Sequence, residues 1–140
     1  MRQRMKKEDC IFCKITSGEI PSRTLYEDEQ FRVILDLGPV AKGHALVIPK
    51  EHYANLEEMP EELAADAMKL AKKMAINITK KLHADGFNLL QNNGEAAGQS
   101  VKHFHMHVIP RYLEDGRQFL LQPGTATDAE LDAVKDTILQ

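Results

Sequence analysis

His103-Phe104-His105-Met106-His107-Val108-Ile109-Pro110 is the stretch on which the reading of this chain turns. Three histidines alternate with apolar residues, and the run closes on Val-Ile-Pro. Side chains of a β-strand alternate between faces. As a strand, the segment carries all three imidazoles on one side and Phe104, Met106 and Val108 on the other. Wound as a helix, the same residues would spread over more than half the circumference. Half-buried imidazoles need hydrogen-bond partners. A strand face made of three is therefore costly to build without a use for it, and the spacing points to chemistry.

Working outward, the chain has 140 residues, enough for one domain with a real core and no covalent staples. Its 43% hydrophobic and 28% charged residues are those of an ordinary soluble globular protein. A net charge of −3 gives no electrostatic case for nucleic acid or an anionic membrane as partner. The basic start (Arg2, Arg4, Lys6, Lys7) is followed by no apolar run. It is neither leader nor anchor in pattern, and a flexible tail over residues 1–9 is expected, with a single domain over 10–140. No apolar stretch is long enough to span a bilayer.

Residues 31–36 and 45–48 read as strands, separated by turn material at Gly38-Pro39 and Lys42-Gly43, and pair as antiparallel neighbours. Pro60 before Glu61 and Glu62 starts a helix, since proline suits a first turn and acids complement the macrodipole. Leu63, Ala67, Leu70, Met74 and Ile78 give that helix an apolar stripe to about Leu82, with Gly86 ending the region. Residues 87–91 form a further strand. Residues 10–18 form a short helical turn ending at Gly18. Thr127 and Glu130 make a capping box for a terminal helix faced by Leu131, Val134 and Ile138. Helices and strands do not alternate, so an α+β domain with a mainly antiparallel sheet is expected.

A neutral imidazole, the main form near pH 7, presents a nucleophilic nitrogen that can attack phosphorus and carry a phosphoryl or nucleotidyl group. The loop over residues 92–100 adds glycines that bring backbone N–H groups close to an anion, with the Gln99 amide and the Ser100 hydroxyl. A metal site is the competing reading. Same-face strand positions lie about 6.5–7 Å apart, so one ion cannot take all three histidines. Cys10 and Cys13 are the only cysteines. By themselves they are open between a metal knuckle, a redox pair and two buried thiols, in a reducing cytosol.

The histidine run, preceded by Asn92 and Gly98-Gln99-Ser100-Val101, resembles the signature of the histidine triad superfamily. Gly43-His44-Ala45-Leu46-Val47-Ile48-Pro49-Lys50 resembles its second motif, and Ile11-Phe12-Cys13-Lys14-Ile15 to Glu19-Ile20-Pro21 fits as well. The likeness is to the histidine triad nucleotide-binding branch, of the zinc-bearing bacterial type, and covers residues 10–112. Residues 113–140 match no motif. The resemblance implies a five-stranded sheet with one long helix and short terminal helices, and a cytoplasmic homodimer joined edge to edge. It also implies hydrolysis at the α-phosphate of purine nucleotide conjugates.

In that reading His105 attacks phosphorus to form a transient nucleotidyl-histidine. His107 and the Gln99-Ser100 segment hold the phosphate oxygens, and Ser100 helps the leaving group. Asp36 binds the ribose hydroxyls, and Phe12, Ile20, Ile34 and Leu37 form the base slot. Asn92 and Gly98 belong to the sugar-phosphate contacts. His44 is either a support for the triad or a buried structural histidine. Relatives that bear zinc hold it with a cysteine pair, a histidine in the position of His52, and the first triad histidine. That implies a closed structural Zn²⁺ on Cys10, Cys13, His52 and His103, with no organic cofactor. The leading activity is a phosphoramidase of purine nucleosides. A dinucleoside polyphosphate hydrolase, a nucleotide-binding interaction module and a metal or redox sensor are the alternatives.

Overall fold

Glu61 and Glu62 sit at the positive end of a helix that the sequence keeps apolar on one stripe, and the chain uses that stripe to cover a sheet. In the computed structural model, which describes residues 7–117 and 121–140, this helix is α2, Glu61–Leu82, with Pro60 as its N-cap. The other elements are α1 (Ile11–Thr16), β1 (Thr24–Glu27), β2 (Phe31–Leu35), β3 (Ala45–Pro49), β4 (Gly86–Leu90), β5 (Met106–Arg111) and α3 (Asp128–Ile138). Short 3-10 turns lie at Leu56–Glu58 and Glu95–Ala97. The five strands form one sheet in the order β1-β2-β3-β5-β4, antiparallel throughout. The α+β class, the five-stranded antiparallel sheet and the single long helix are as expected. Among the described residues no helix is long and apolar enough to cross a membrane.

The alternation in the histidine run is realised. Phe104, Met106 and Val108 join Ala67, Leu70, Ala71, Met74, Ala75 and Ile78 of α2 in the core on one side of the sheet. The opposite face packs Cys10, Phe12, Cys13 and Ile15 of the α1 region against Ile34, Leu46 and Ile48. The imidazoles lie on this second face. The ladder itself starts only at Met106, paired with Val47 of β3. Two pairs further on, β3 reaches Pro49, which has no N–H to give. The Phe104 amide donates instead to the Tyr53 carbonyl at 2.7 Å.

Three local features stand beside the sequence expectations. Strand β1 carries no alternation, because all four of its residues are exposed at the sheet edge. Gly86 does not end α2 but opens β4. The helix is closed by His83 in the left-handed region, φ 56°, with its N–H on the Thr79 carbonyl. Of the expected tail over 1–9, residues 1–6 lie outside the described residues. Lys7, Glu8 and Asp9 are exposed, yet the Lys7 carbonyl accepts from the Cys10 amide at 3.1 Å and ties this turn to α1.

Candidate active site and metal centre

The second face of the sheet ends in a cavity of about 320 Å³, walled by α1 on one side and by the β2–β3 connection on the other. Phe12, Ile20, Ile34, Leu37, Asp36, Ser100, His105 and His107 all line it. The first four supply an apolar wall. Leu37 is the outlier, 86% exposed at the mouth. Ile11, Ile15, Leu46 and Val101 share the wall and were not singled out in the sequence. Leu46 was legible as the in-strand partner of Ile48. Arg23 also reaches the cavity, and nothing in the sequence marked it.

His105 is 7% exposed and stacks edge-on against Phe12, with ring centroids 4.9 Å apart. Its Nδ1 faces the His103 carbonyl at 2.8 Å. A carbonyl only accepts, so Nδ1 carries the proton and Nε2 keeps a free lone pair. Burial holds the His105 pKa below the ordinary histidine value, against the opposing pull of that carbonyl and of Asp36. His107 lies next to it, ring centroids 5.0 Å apart. Burial, with His105 and His44 nearby, pushes His107 down to about 4. Both rings are therefore neutral at pH 7.

His44 does not line the cavity. It is buried behind His107, with Nε2 2.9 Å from His107 Nδ1 and Nδ1 3.0 Å from the Val40 amide. Asp36 accepts from the Gly38 amide through Oδ1 at 2.8 Å and holds Oδ2 3.6 Å from His44 Nε2. Asp36, His44 and His107 thus bring three ligand-type atoms together. Both ring nitrogens of His44 are already hydrogen-bonded, so these three are a hydrogen-bonded cluster and not a metal centre.

Asn92, Gly98 and Gln99 are not among the residues lining the cavity. The Gln99 carboxamide, expected on the phosphate oxygens, is instead bonded to backbone groups. Oε1 accepts from the Gly94 amide at 2.8 Å, and Nε2 donates to the Ala54 and Val101 carbonyls at 2.6 and 3.0 Å. The side chain is 9% exposed and fully engaged in holding its loop. Gly98, at φ 91°, ends the 3-10 turn in a conformation that only glycine adopts freely. Between them they set Ser100 at the cavity wall.

The four expected metal ligands converge. Cys10 Sγ lies 3.3 Å and Cys13 Sγ 3.5 Å from His103 Nδ1, Cys13 Sγ lies 3.4 Å from His52 Nδ1, and the two Nδ1 atoms are 3.1 Å apart. Zn–S of about 2.3 Å and Zn–N of about 2.0–2.1 Å in a tetrahedron place ligand atoms roughly 3.3–3.8 Å apart. His103 Nε2 donates to the Pro49 carbonyl at 2.8 Å, which leaves its Nδ1 as a bare lone pair facing the thiols and His52. His103 is fully buried, and burial drives its pKa down to about 4, the neutral form that a metal needs. These side chains fit a metal ion.

The HIT domain model matches residues 17–114. The chain belongs to the HIT family. An adenosine 5'-monophosphoramidase of Saccharomyces cerevisiae is 45% identical to this HIT protein over 85% of the chain and 73% of the relative. An adenylylsulfatase of Arabidopsis thaliana is 47% identical over 78% of the chain and 55% of the relative. Among solved structures, a zinc-bound histidine triad family protein of Mycobacterium smegmatis matches with a TM-score of 0.76 and 38% identity, over 92% of this chain and 97% of its own.

Proposed function

We propose that this HIT protein is a hydrolase that cleaves purine nucleotide conjugates of the phosphoramidate or adenylate type at the α-phosphorus and releases the nucleoside monophosphate. The observation that carries the proposal is the His105 ring. Its proton is fixed on Nδ1 by the His103 carbonyl, and its Nε2 lone pair is left at the wall of a cavity that also holds His107 and Ser100. In the first step Nε2 forms a bond to phosphorus, and the bond from phosphorus to the leaving nitrogen or oxygen breaks. A leaving amine takes up a proton from solvent, relayed by the Ser100 hydroxyl at the cavity wall. In the second step water attacks phosphorus and loses a proton to solvent, and the bond from phosphorus to Nε2 breaks to free neutral His105. His107, neutral at pH 7, contributes a hydrogen bond to the phosphoryl oxygens rather than a transferable proton. Asp36 takes the ribose hydroxyls as a bidentate acceptor, and Phe12, Ile20, Ile34 and Leu37 sandwich the base; Asn92 and Gly98, outside the cavity lining, act through the loop that carries Ser100. The names of the yeast and plant relatives support this chemistry.

Rapid quench with a labelled adenosine 5'-phosphoramidate tests it. A mass increment of one nucleoside monophosphate on His105, absent in His105→Ala, is expected. Turnover that persists in His105→Ala would overturn the reading.

A closed Zn²⁺ on Cys10, Cys13, His52 and His103 belongs to the same proposal. When bound it would neutralise two thiolates and fix the start of the histidine run, with no open position for water. The zinc-bound relative and the converging lone pairs support it, and thiolate ligands suit a reducing cytosol. A homodimer joined at the β4 edge is supported by exposed Phe87 on that strand and by Met68 and Ile76 on the outer side of α2. Equilibrium sedimentation is expected to give twice the chain mass, and a monomer at micromolar concentration removes the dimer.

A further inference from the structure

We propose that His44 is a positioning residue: anchored by the Val40 main-chain amide, it fixes the proton of His107 on the nitrogen that faces the cavity. The inference rests on the hydrolase reading above and adds a positioning residue to it. The argument is one of counting protons along a chain of contacts. The Val40 amide can only donate, so His44 Nδ1, 3.0 Å away, accepts and carries no proton. A neutral imidazole keeps one proton, which then sits on His44 Nε2. That atom is 2.9 Å from His107 Nδ1, so His44 donates and His107 Nδ1 accepts. His107 in turn keeps its single proton on Nε2.

The reverse direction would leave both nitrogens of His44 without a proton, an imidazolate. A protonated His44 would set an N–H against the Val40 N–H. Neither is tolerable behind a 3% exposed ring.

The outcome is two adjacent imidazoles with opposite tautomers. His105 is held by a carbonyl and offers a lone pair, while His107 is held by a donor and offers an N–H. One attacks phosphorus, and the other binds the oxygens on which charge accumulates. The His103 carbonyl sets the His105 half of this difference. The His107 half comes from a backbone amide in the connection between β2 and β3. Asp36, on that same connection, lies 3.6 Å from His44 Nε2 and stabilises the proton there.

Two substitutions separate positioning from packing. His44→Leu fills the space without a donor, and His44→Gln returns an N–H near the Nε2 position. Nitrogen-15 correlation spectra of the free protein are expected to find His107 as the Nε2–H form in wild type and His44→Gln. A mixture with the Nδ1–H form is expected in His44→Leu. With the phosphoramidate, kcat of His44→Leu is expected to drop about 10- to 100-fold. That is less than the ~10²–10³ of deleting an oriented donor, because His107 itself remains. AMP affinity should move less than about 3-fold, and His44→Gln should recover most of the rate. An unchanged His107 tautomer in His44→Leu, or a Gln variant as slow as Leu with its fold intact, overturns the proposal. If wild type does not hydrolyse the phosphoramidate at all, the hydrolase reading fails, and the spectra still decide the tautomer.

Discussion

At the scale of single residues, protonation decides whether the site works. As the proposed nucleophile, His105 would attack only as the neutral ring, and burial places its pKa below the ordinary histidine value. Activity is therefore expected to be flat from pH 8 down past pH 6.5, with the acid limb of kcat/KM falling at a pH below ordinary histidine titration. An acid limb centred above pH 6.5 would mean that a different group controls attack. The same shift bears on stability. His107 titrates near 4 when folded and near 6.5 when unfolded, so between those values the unfolded chain binds more protons. Stability from this group is complete above about 6.5 and is lost as pH falls toward 4.

The elements position these residues, and here the sequence was legible only in part. The alternation of the histidine run, the α2 stripe and the Thr127 cap, whose Oγ1 accepts from the Glu130 amide at 3.2 Å, are periodic or local and could be read directly. Strand β1 could not, because an exposed four-residue edge has no alternation to display. Gln99 was read as a phosphate ligand because its type and place suit an anion loop. Its partners, Ala54 and Val101 carbonyls and the Gly94 amide, are backbone atoms brought near only by folding. Val40 is invisible for the same reason, since only its amide matters. Gln99→Ala leaves those three backbone groups short of a partner in a part-buried setting. It is expected to cost about 1–3 kcal/mol in urea unfolding and to raise KM for the nucleotide through a looser Ser100 loop. A variant with unchanged stability would return Gln99 to the role of a ligand.

Across the whole molecule, the four-ligand cluster joins three distant parts of the chain: α1 through Cys10 and Cys13, the segment after β3 through His52, and the approach to β5 through His103. Such cross-links restrict the unfolded chain most when the loops they close are long, and these span 39 to 93 residues. An ion held there would also act on the site, because the His103 carbonyl that fixes the His105 proton belongs to a residue of that cluster. A bound ion at 100 times its Kd adds about 2.7 kcal/mol. At roughly 3–5 °C per kcal/mol for a chain of this size, stripping the metal is expected to lower Tm by about 10 °C and to release one equivalent of zinc by elemental analysis. Cys10→Ser with Cys13→Ser should start at the lower Tm and no longer respond to a chelator. A chain that melts at the same temperature with and without chelator, while still losing one zinc, would place the ion outside the fold's support and leave His103 to be held by the Pro49 carbonyl alone.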